Sequence, residues 1–187
     1  MRPETNPRQP GQTILLYPGA FQSVHNYGGY DGIEIWKMPI PGNRLPPADC
    51  YIGHSAGCSF ILSRLVAPGN AKFIFVNPLV RRRSRLALAW AWIGYLFGEG
   101  IAWKKIVPVS LWWHNIRLLN KLIDVDVMAV IAKIPAGNLV VIRGKGDRWI
   151  YDEASEALLK SRGIRCIEAD AGHDWNDNIR QIVERVR

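Results

Sequence analysis

Cysteine is scarce in this chain of 187 residues. There are three cysteines, Cys50, Cys58 and Cys166, and no pair has the Cys-x-x-Cys spacing. An odd and widely spaced set excludes a disulfide framework as the basis of the fold. Because all three lie in apolar stretches, we expect reduced thiols in the core of a cytoplasmic protein.

Long hydrophobic segments are missing as well. The longest strongly apolar run, from Leu86 to Gly98, has 13 residues, whereas a helix that crosses a bilayer needs about 20. Residues 1–12, MRPETNPRQPGQ, are polar and proline-rich and lack the apolar core of a signal peptide. We therefore expect a flexible tail over residues 1–12 and one domain over residues 13–187.

Acidic residues are outnumbered by basic ones. The chain has 16 Asp and Glu against 24 Lys and Arg, which gives a net charge of +8. This balance favours anionic partners, such as nucleic acid, an acidic membrane surface or a phosphate-bearing substrate. Hydrophobic residues make up 48% of the chain, a share that is typical of a folded globular protein and argues against disorder.

Short apolar runs alternate with helical patterns along the chain. The runs predict six strands: Thr13–Tyr17, Ile33–Met38, Cys50–Gly53, Ala71–Val76, Asn138–Gly144 and Arg165–Glu168. The helical patterns cover Cys58–Val66, Asp152–Ser161 and Trp175–Val186. This alternation predicts an α/β fold with a mostly parallel sheet of about six strands, flanked by helices on both faces. In such sheets the functional residues lie at the carboxyl ends of the strands.

One serine lies at such a position. Ser55, in the stretch GHSAG, directly follows a predicted strand and directly precedes a predicted helix. A sharp turn between strand and helix strains the serine backbone, and Gly53 and Gly57 relieve the crowding around it. The arrangement is typical of an exposed nucleophile, although a turn that contains serine by chance has the same pattern.

A serine hydroxyl needs a base to remove its proton, and the base needs a carboxylate to orient it. Of the four histidines, only His173 follows a predicted strand at some distance from Ser55; His54 adjoins the serine and is interpreted as a packed neighbour. Asp147 follows another strand, within GKGD, and is better placed than Asp124 or the other acids. Ser55, Asp147 and His173 thus follow three different strands.

The motifs GHSAG, GKGD and AGHD together resemble those of the α/β-hydrolase family, and the resemblance extends from about Thr13 to the C-terminus. It implies a three-layer α/β-hydrolase fold with Ser55 as nucleophile, Asp147 as acid and His173 as base. It also implies an oxyanion hole formed by the backbone N–H of Ala56 and that of Ala20 or Phe21. The chain departs from the family in lacking the first two strands, and a proline-rich loop replaces the helix before the nucleophile strand.

The family places its cap after the fourth predicted strand, and residues 79–135 occupy that place with a helical pattern. This cap contains five of the eight tryptophans: Trp90, Trp92, Trp103, Trp112 and Trp113. If the apolar run is a helix, Trp92, Tyr95 and Leu96 share one face and form a substrate-binding surface, whereas Trp90 and Phe97 share another. The same pattern also fits plain core. The uncovered side of the helix must meet an acyl chain, a second subunit or an anionic membrane.

The sequence therefore predicts a serine hydrolase that cleaves carboxylic esters, preferably with a hydrophobic acyl group, and that needs no metal or organic cofactor. Two alternatives remain. An acyl thioesterase would use the same chemistry, and a catalytically silent α/β-hydrolase-like protein would serve as a membrane or protein binding module. No RNA- or DNA-binding motif is present, so nucleic acid is not expected as a partner.

Overall fold

A computed structural model describes residues 11–38, 44–100 and 105–187. In these ranges five parallel strands form one sheet in the order β1-β2-β3-β4-β5. The strands are β1 (Ile14–Tyr17), β2 (Cys50–His54), β3 (Lys72–Val76), β4 (Leu139–Gly144) and β5 (Arg165–Ala169). Six α-helices accompany them: α1 (Ala56–Arg64), α2 (Arg85–Tyr95), α3 (Trp112–Leu122), α4 (Val127–Ile131), α5 (Glu153–Lys160) and α6 (Asp177–Val186). Apart from Gly11 and Gln12, the predicted tail lies outside the described residues.

The middle of the sheet is buried on both faces. Every residue of β2 and β4 is buried, as the continuous apolar runs in the sequence indicate. One face packs against α1, α3, α4 and α5 in a single apolar cluster. The other face packs against α6, together with Tyr27 and Tyr30. The predicted α/β architecture, with helices on both faces of a parallel sheet, is confirmed.

The strand predicted over Ile33–Met38 is wrong, and the sheet has five strands rather than about six. Only one parallel bridge, between Gly32 and Leu16, forms at that edge of the sheet. The carboxylate of Glu34 then accepts hydrogen bonds from the Ser23 hydroxyl and the Val24 N–H, which turns the chain away from β1. The segment continues as a 3₁₀ turn over Ile35–Lys37.

The cap follows β3, which is the predicted fourth strand, and contains α2, α3 and α4. Helix α2 begins after Ser84, whose hydroxyl accepts a hydrogen bond from the Ala87 N–H, and a π-helical turn over Leu96–Gly100 extends it. Only Ala91 and Tyr95 of α2 are buried. Helix α3 has a narrower apolar face and buries Asn115, Leu118 and Leu122. Within the described residues, no helix has the length and hydrophobicity that crossing a bilayer requires.

Candidate active site

Ser55 lies in the turn between β2 and α1, with a strained backbone. Its φ of 50° is in the region that favours glycine. The Ser55 N–H donates to the carbonyl of Val76 at 2.8 Å, which anchors the turn to the end of β3. Gly57 is required by close packing, because a Cβ there would lie 2.1 Å from the Tyr17 carbonyl oxygen. The turn therefore holds the Ser55 hydroxyl at the N-terminus of α1.

The structure brings the three predicted side chains into one hydrogen-bonded chain. His173 Nε2 lies 3.0 Å from Ser55 Oγ, and His173 Nδ1 lies 2.6 Å from Asp147 Oδ2. Ser55 follows β2, Asp147 follows β4 and His173 follows β5, so each comes from the carboxyl end of a different strand. The distances are those of a nucleophile, its base and the acid that orients the base.

Asp147 is held as a charged acceptor although it is fully buried. Burial alone would raise the pKa of this carboxyl, but the charge and hydrogen bond of His173 and two backbone N–H groups outweigh it and lower the pKa. Its two oxygens accept the N–H groups of Trp149, Ile150 and Tyr151 at 3.0 to 3.2 Å. Asp124, the alternative acid, is exposed on the cap and lies 3.8 Å from Arg85.

Opposing influences act on the two central histidines. Burial would lower the pKa of His173, but Asp147, together with the more distant charges of Glu99 and Asp174, outweighs burial and raises it. Burial and the neighbouring His173 ring lower the pKa of His54 to about 4. His54 Nε2 lies 2.8 Å from the His173 carbonyl oxygen, and His54 Nδ1 lies 2.7 Å from the Tyr27 hydroxyl. His54 is thus a hydrogen-bonded neighbour that supports the backbone of His173.

Two side chains of the cap contact His173 and Asp174 in the histidine loop. The Glu99 carboxylate accepts the His173 N–H at 2.5 Å, and the Tyr95 hydroxyl donates to Asp174 at 2.6 Å. Gly172 makes room for Glu99, because a Cβ at Gly172 would lie 2.2 Å from the Glu99 carboxylate. The sequence analysis does not predict a role for Glu99. A single acid at the end of an apolar run is the feature that would have indicated one.

Asn77 is a second residue that sequence reasoning misses. Its backbone has a φ of 47°, and its side-chain amide donates to the carbonyls of Gly172 and His173 at 3.1 and 2.8 Å. The side-chain oxygen accepts the N–H of Gly144 at the end of β4. Asn77 therefore joins the ends of three strands beneath the site, which a pattern of Asn-Pro after an apolar run does not reveal.

One of the two alternatives for the oxyanion hole is occupied. The N–H of Phe21 donates to the side-chain oxygen of Asn115 at 3.0 Å, so it is not directed at a substrate. Among the described residues, the Ala20 N–H has no hydrogen-bond partner. Ala20 and Ala56 both line the space beside Ser55. The two backbone N–H groups that remain as candidates for an oxyanion hole are those of Ala20 and Ala56.

Two cavities meet at Ser55. The smaller, of about 30 Å³, is lined by His54, His173, Asp174 and Lys105 together with aromatic and apolar side chains. The larger, of about 410 Å³, is mainly apolar and lies between α2, α3 and the Ser55 turn.

The predicted substrate-binding residues divide between these cavities. Trp92 lines both, and Tyr95 lines the smaller one, with its ring 5.1 Å from the His173 ring. Leu96 lines neither, so the structure does not bring it to the site. No cluster of three His, Cys, Asp or Glu side chains that could hold a metal ion occurs in the described ranges.

No protein-family model matches the chain, and no curated protein matches it by sequence. Solved structures do match it in fold. MGS-M2, an α/β hydrolase enzyme from a Medee basin deep-sea metagenome library, has a TM-score of 0.60 at 12% identity, covering 95% of this chain and 88% of that chain. BioG from Haemophilus influenzae has a TM-score of 0.54 at 11% identity, covering 86% of this chain and 87% of that chain. At such identities the likeness is one of fold.

Proposed function

We propose that this chain, which has the fold of the α/β hydrolases, is a serine hydrolase that cleaves carboxylic esters with a hydrophobic acyl group. One observation carries the proposal. The chain Ser55–His173–Asp147, joined at 3.0 and 2.6 Å, opens onto an apolar cavity of about 410 Å³. A nucleophile activated in this way performs acyl transfer, and the cavity is large enough for an acyl chain.

The first half of the reaction forms an acyl-enzyme. His173 Nε2 takes the proton of Ser55 Oγ as the oxygen attacks the ester carbonyl, and Asp147 stabilises the resulting imidazolium. The N–H groups of Ala56 and Ala20 donate to the developing oxyanion. Ala56 is the first residue of α1, so the positive end of the helix dipole also favours that negative charge.

Collapse of the tetrahedral intermediate breaks the bond to the alcohol, whose oxygen receives the proton from His173 Nε2. A water molecule then gives a proton to His173 and attacks the acyl-enzyme. Collapse of the second intermediate releases the carboxylic acid, and His173 returns the proton to Ser55 Oγ. The balance is one ester and one water consumed, and one acid and one alcohol formed.

The positions of the two cavities support one orientation of the ester. The alcohol oxygen must lie within reach of His173, and His173 lines the small cavity but not the large apolar one. The alcohol side therefore belongs to the small cavity. The acyl chain belongs to the large cavity, where apolar side chains such as Leu88, Trp92 and Ile116 remove it from water.

A series of p-nitrophenyl esters from acetyl to dodecanoyl tests the proposal. We expect kcat/KM to rise by up to about fourfold for each added methylene until the cavity is full, since each buried CH₂ contributes roughly 0.8 kcal/mol. Ser55→Ala should lower kcat by about 10³-fold or more. Ser63→Ala, on the exposed side of the same helix, should leave the rates unchanged.

The results distinguish three functions: ester hydrolysis, thioester hydrolysis and binding without catalysis. A matched series of acyl thioesters shows whether a thioester is the better substrate of the same site. A preference for acetyl over octanoyl esters would contradict the acyl cavity but leave the nucleophile standing. A folded wild type that is inert on both series would favour a silent binding protein instead.

A further inference from the structure

An apolar surface lies on the outside of the cap, away from the active site. It consists of Leu86, Trp90 and Ile93 on α2, of Phe97 on the π-helical turn that follows, and of Val109 and Trp113 in the 3₁₀ turn before α3 and its first turn. We refer to these six residues as the cap patch. Trp90 is 64% exposed and Phe97 is 87% exposed, which is unusual for side chains of this size.

The part of the cap patch on α2 is a continuous stripe. Leu86, Trp90 and Ile93 are spaced at intervals of four and three residues, which places them on one side of the helix, and Phe97 follows on the π-helical turn. The opposite side carries Tyr95, which is buried against the histidine loop. The stripe is therefore not needed to attach α2 to the rest of the protein.

Contacts between the two helices show how their ends are arranged. Arg85, at the start of α2, lies 3.8 Å from Asp124, just after the end of α3. The Phe21 ring lies 4.9 Å from the ring of Trp92 and 5.8 Å from that of Trp112, which begins α3. The helices are thus antiparallel. The exposed aromatic side chains of Phe97 and Trp113 are at one end of the pair.

The middle of α3 and the other end of the pair are basic. Arg82 before α2, and Arg117 and Lys121 on α3, are exposed and have no ion-pair partner among the described residues. Residues 79–135 hold nine of the 24 basic residues and three of the 16 acidic ones, a net charge of +6 out of the total of +8. Of those three acids, Glu99 accepts a hydrogen bond from the His173 N–H, and Asp124 lies beside Arg85.

We infer that the cap patch docks on the surface of an anionic lipid bilayer. Exposed tryptophan, phenylalanine and leucine enter the interfacial region, and neighbouring arginine and lysine side chains contact the anionic headgroups. A second copy of this chain fits less well, because it would bring two caps of charge +6 together. The large cavity lies between α2 and α3, and Arg85, Ala89 and Ile116 line it, so the docked surface belongs to the same two helices as the cavity wall.

Sedimentation with vesicles tests this inference without any enzymatic readout. We compare vesicles of phosphatidylcholine alone with vesicles in which about one third of the lipid is phosphatidylserine. Wild type should bind the anionic vesicles, and added salt should weaken this binding. The double variant Arg82→Gln/Arg117→Gln should bind them about 30-fold more weakly, since each cation near the surface contributes about fivefold.

A second double variant tests the apolar part. Trp90→Ser/Phe97→Ser should lose at least about tenfold in binding to the anionic vesicles, because buried apolar area adds to the electrostatic attraction. Matched controls are Val66→Ser and Arg162→Gln, which change an exposed apolar side chain and an exposed cation outside the cap. Both should bind like wild type, and thermal unfolding of each variant shows that its fold is kept.

Two results would overturn the inference. The first is the absence of binding to anionic vesicles by folded wild type; a concentration-dependent dimer that Trp90→Ser/Phe97→Ser disrupts would then assign the cap patch to a second copy. The second is vesicle binding that the Trp90→Ser/Phe97→Ser variant retains in full, because the basic residues alone would then account for it. Neither result bears on the ester hydrolysis proposed for Ser55.

Discussion

The turn around Ser55 and the helix α2 that faces it are stabilised in opposite ways. Every residue of β2 and the first seven residues of α1 are buried, whereas α2 buries only Ala91 and Tyr95. Ser55 is thus fixed by close packing from all sides, whereas α2 is held through a few contacts, such as the hydrogen bond from Tyr95 to Asp174. Under the proposed function, the closely packed sheet would position the reacting groups and the cap would select the acyl chain.

Asp147→Asn gives the largest effect expected on the sheet side. The asparagine cannot stabilise the His173 cation or hold its tautomer, so kcat should fall by about 10³- to 10⁴-fold for every ester, whatever its acyl length. Asp124→Asn is the matched control, since Asp124 lies exposed on the cap. A near-normal Asp147→Asn together with an inactive Asp124→Asn would show that the acid is misassigned.

Gly57→Ala tests the packing that fixes the turn. The added Cβ would meet the Tyr17 carbonyl oxygen at 2.1 Å, and overpacking of this kind destabilises a protein by about 1–3 kcal/mol. Chemical denaturation should therefore show a lower free energy of unfolding and lower activity on all esters. Gly137→Ala, where no atom lies within 4 Å, should be neutral. Equal stability of the two variants would mean that α1 does not need this close approach to β1.

The pH dependence of kcat/KM reports on His173 in its buried setting. The base works only when it is neutral, so activity should rise with pH through its pKa, by about tenfold per unit on the acid side. Asp147 and the neighbouring acids outweigh burial and raise this pKa, so the midpoint should lie above the ordinary value of about 6.5. Residual activity of Asp147→Asn should have a lower midpoint. An unchanged midpoint would exclude Asp147 as the source of the shift.

Trp92→Ala should have the smallest effect of these changes, and it tests the role of the cap. Trp92 lines the large apolar cavity, so its loss should flatten the rise of kcat/KM with acyl length while slowing acetyl ester hydrolysis only a few-fold. Trp90→Ala, on the exposed side of the same helix, should leave the chain-length profile of soluble esters unchanged. If Trp92→Ala slows all esters equally, the cap does not select the acyl chain.

Strand ends explain why much of the site could be predicted from the sequence. Ser55 and Asp147 follow apolar runs that form fully buried strands, and His173 follows the partly exposed strand β5. Parallel strands bring their carboxyl ends together. Prediction from the local sequence pattern was wrong where a tertiary contact determines the backbone conformation. Ile33–Met38 alternates like a strand, but the bonds from Ser23 and Val24 to Glu34 turn it away from the sheet.

The contacts between the cap and the sheet could not be predicted for the same reason. Leu96 was expected beside Trp92 and Tyr95 from helical spacing, yet α2 gives way to a π-helical turn at Leu96 and the side chain lines neither cavity. The choice between Ala20 and Phe21 depended on Asn115, which is 94 residues away from Phe21 in the sequence. No spacing within a motif contains such information.

Labelling with a fluorophosphonate, followed by mass spectrometry of the peptides, is the most direct test of Ser55 as the nucleophile. The probe reacts with a serine only when a neighbouring base activates it. We expect a single modified residue, Ser55, in the wild type, and no labelling in Ser55→Ala or His173→Ala. Folded wild type that stays unlabelled, or that is labelled at Ser59 instead, would contradict it.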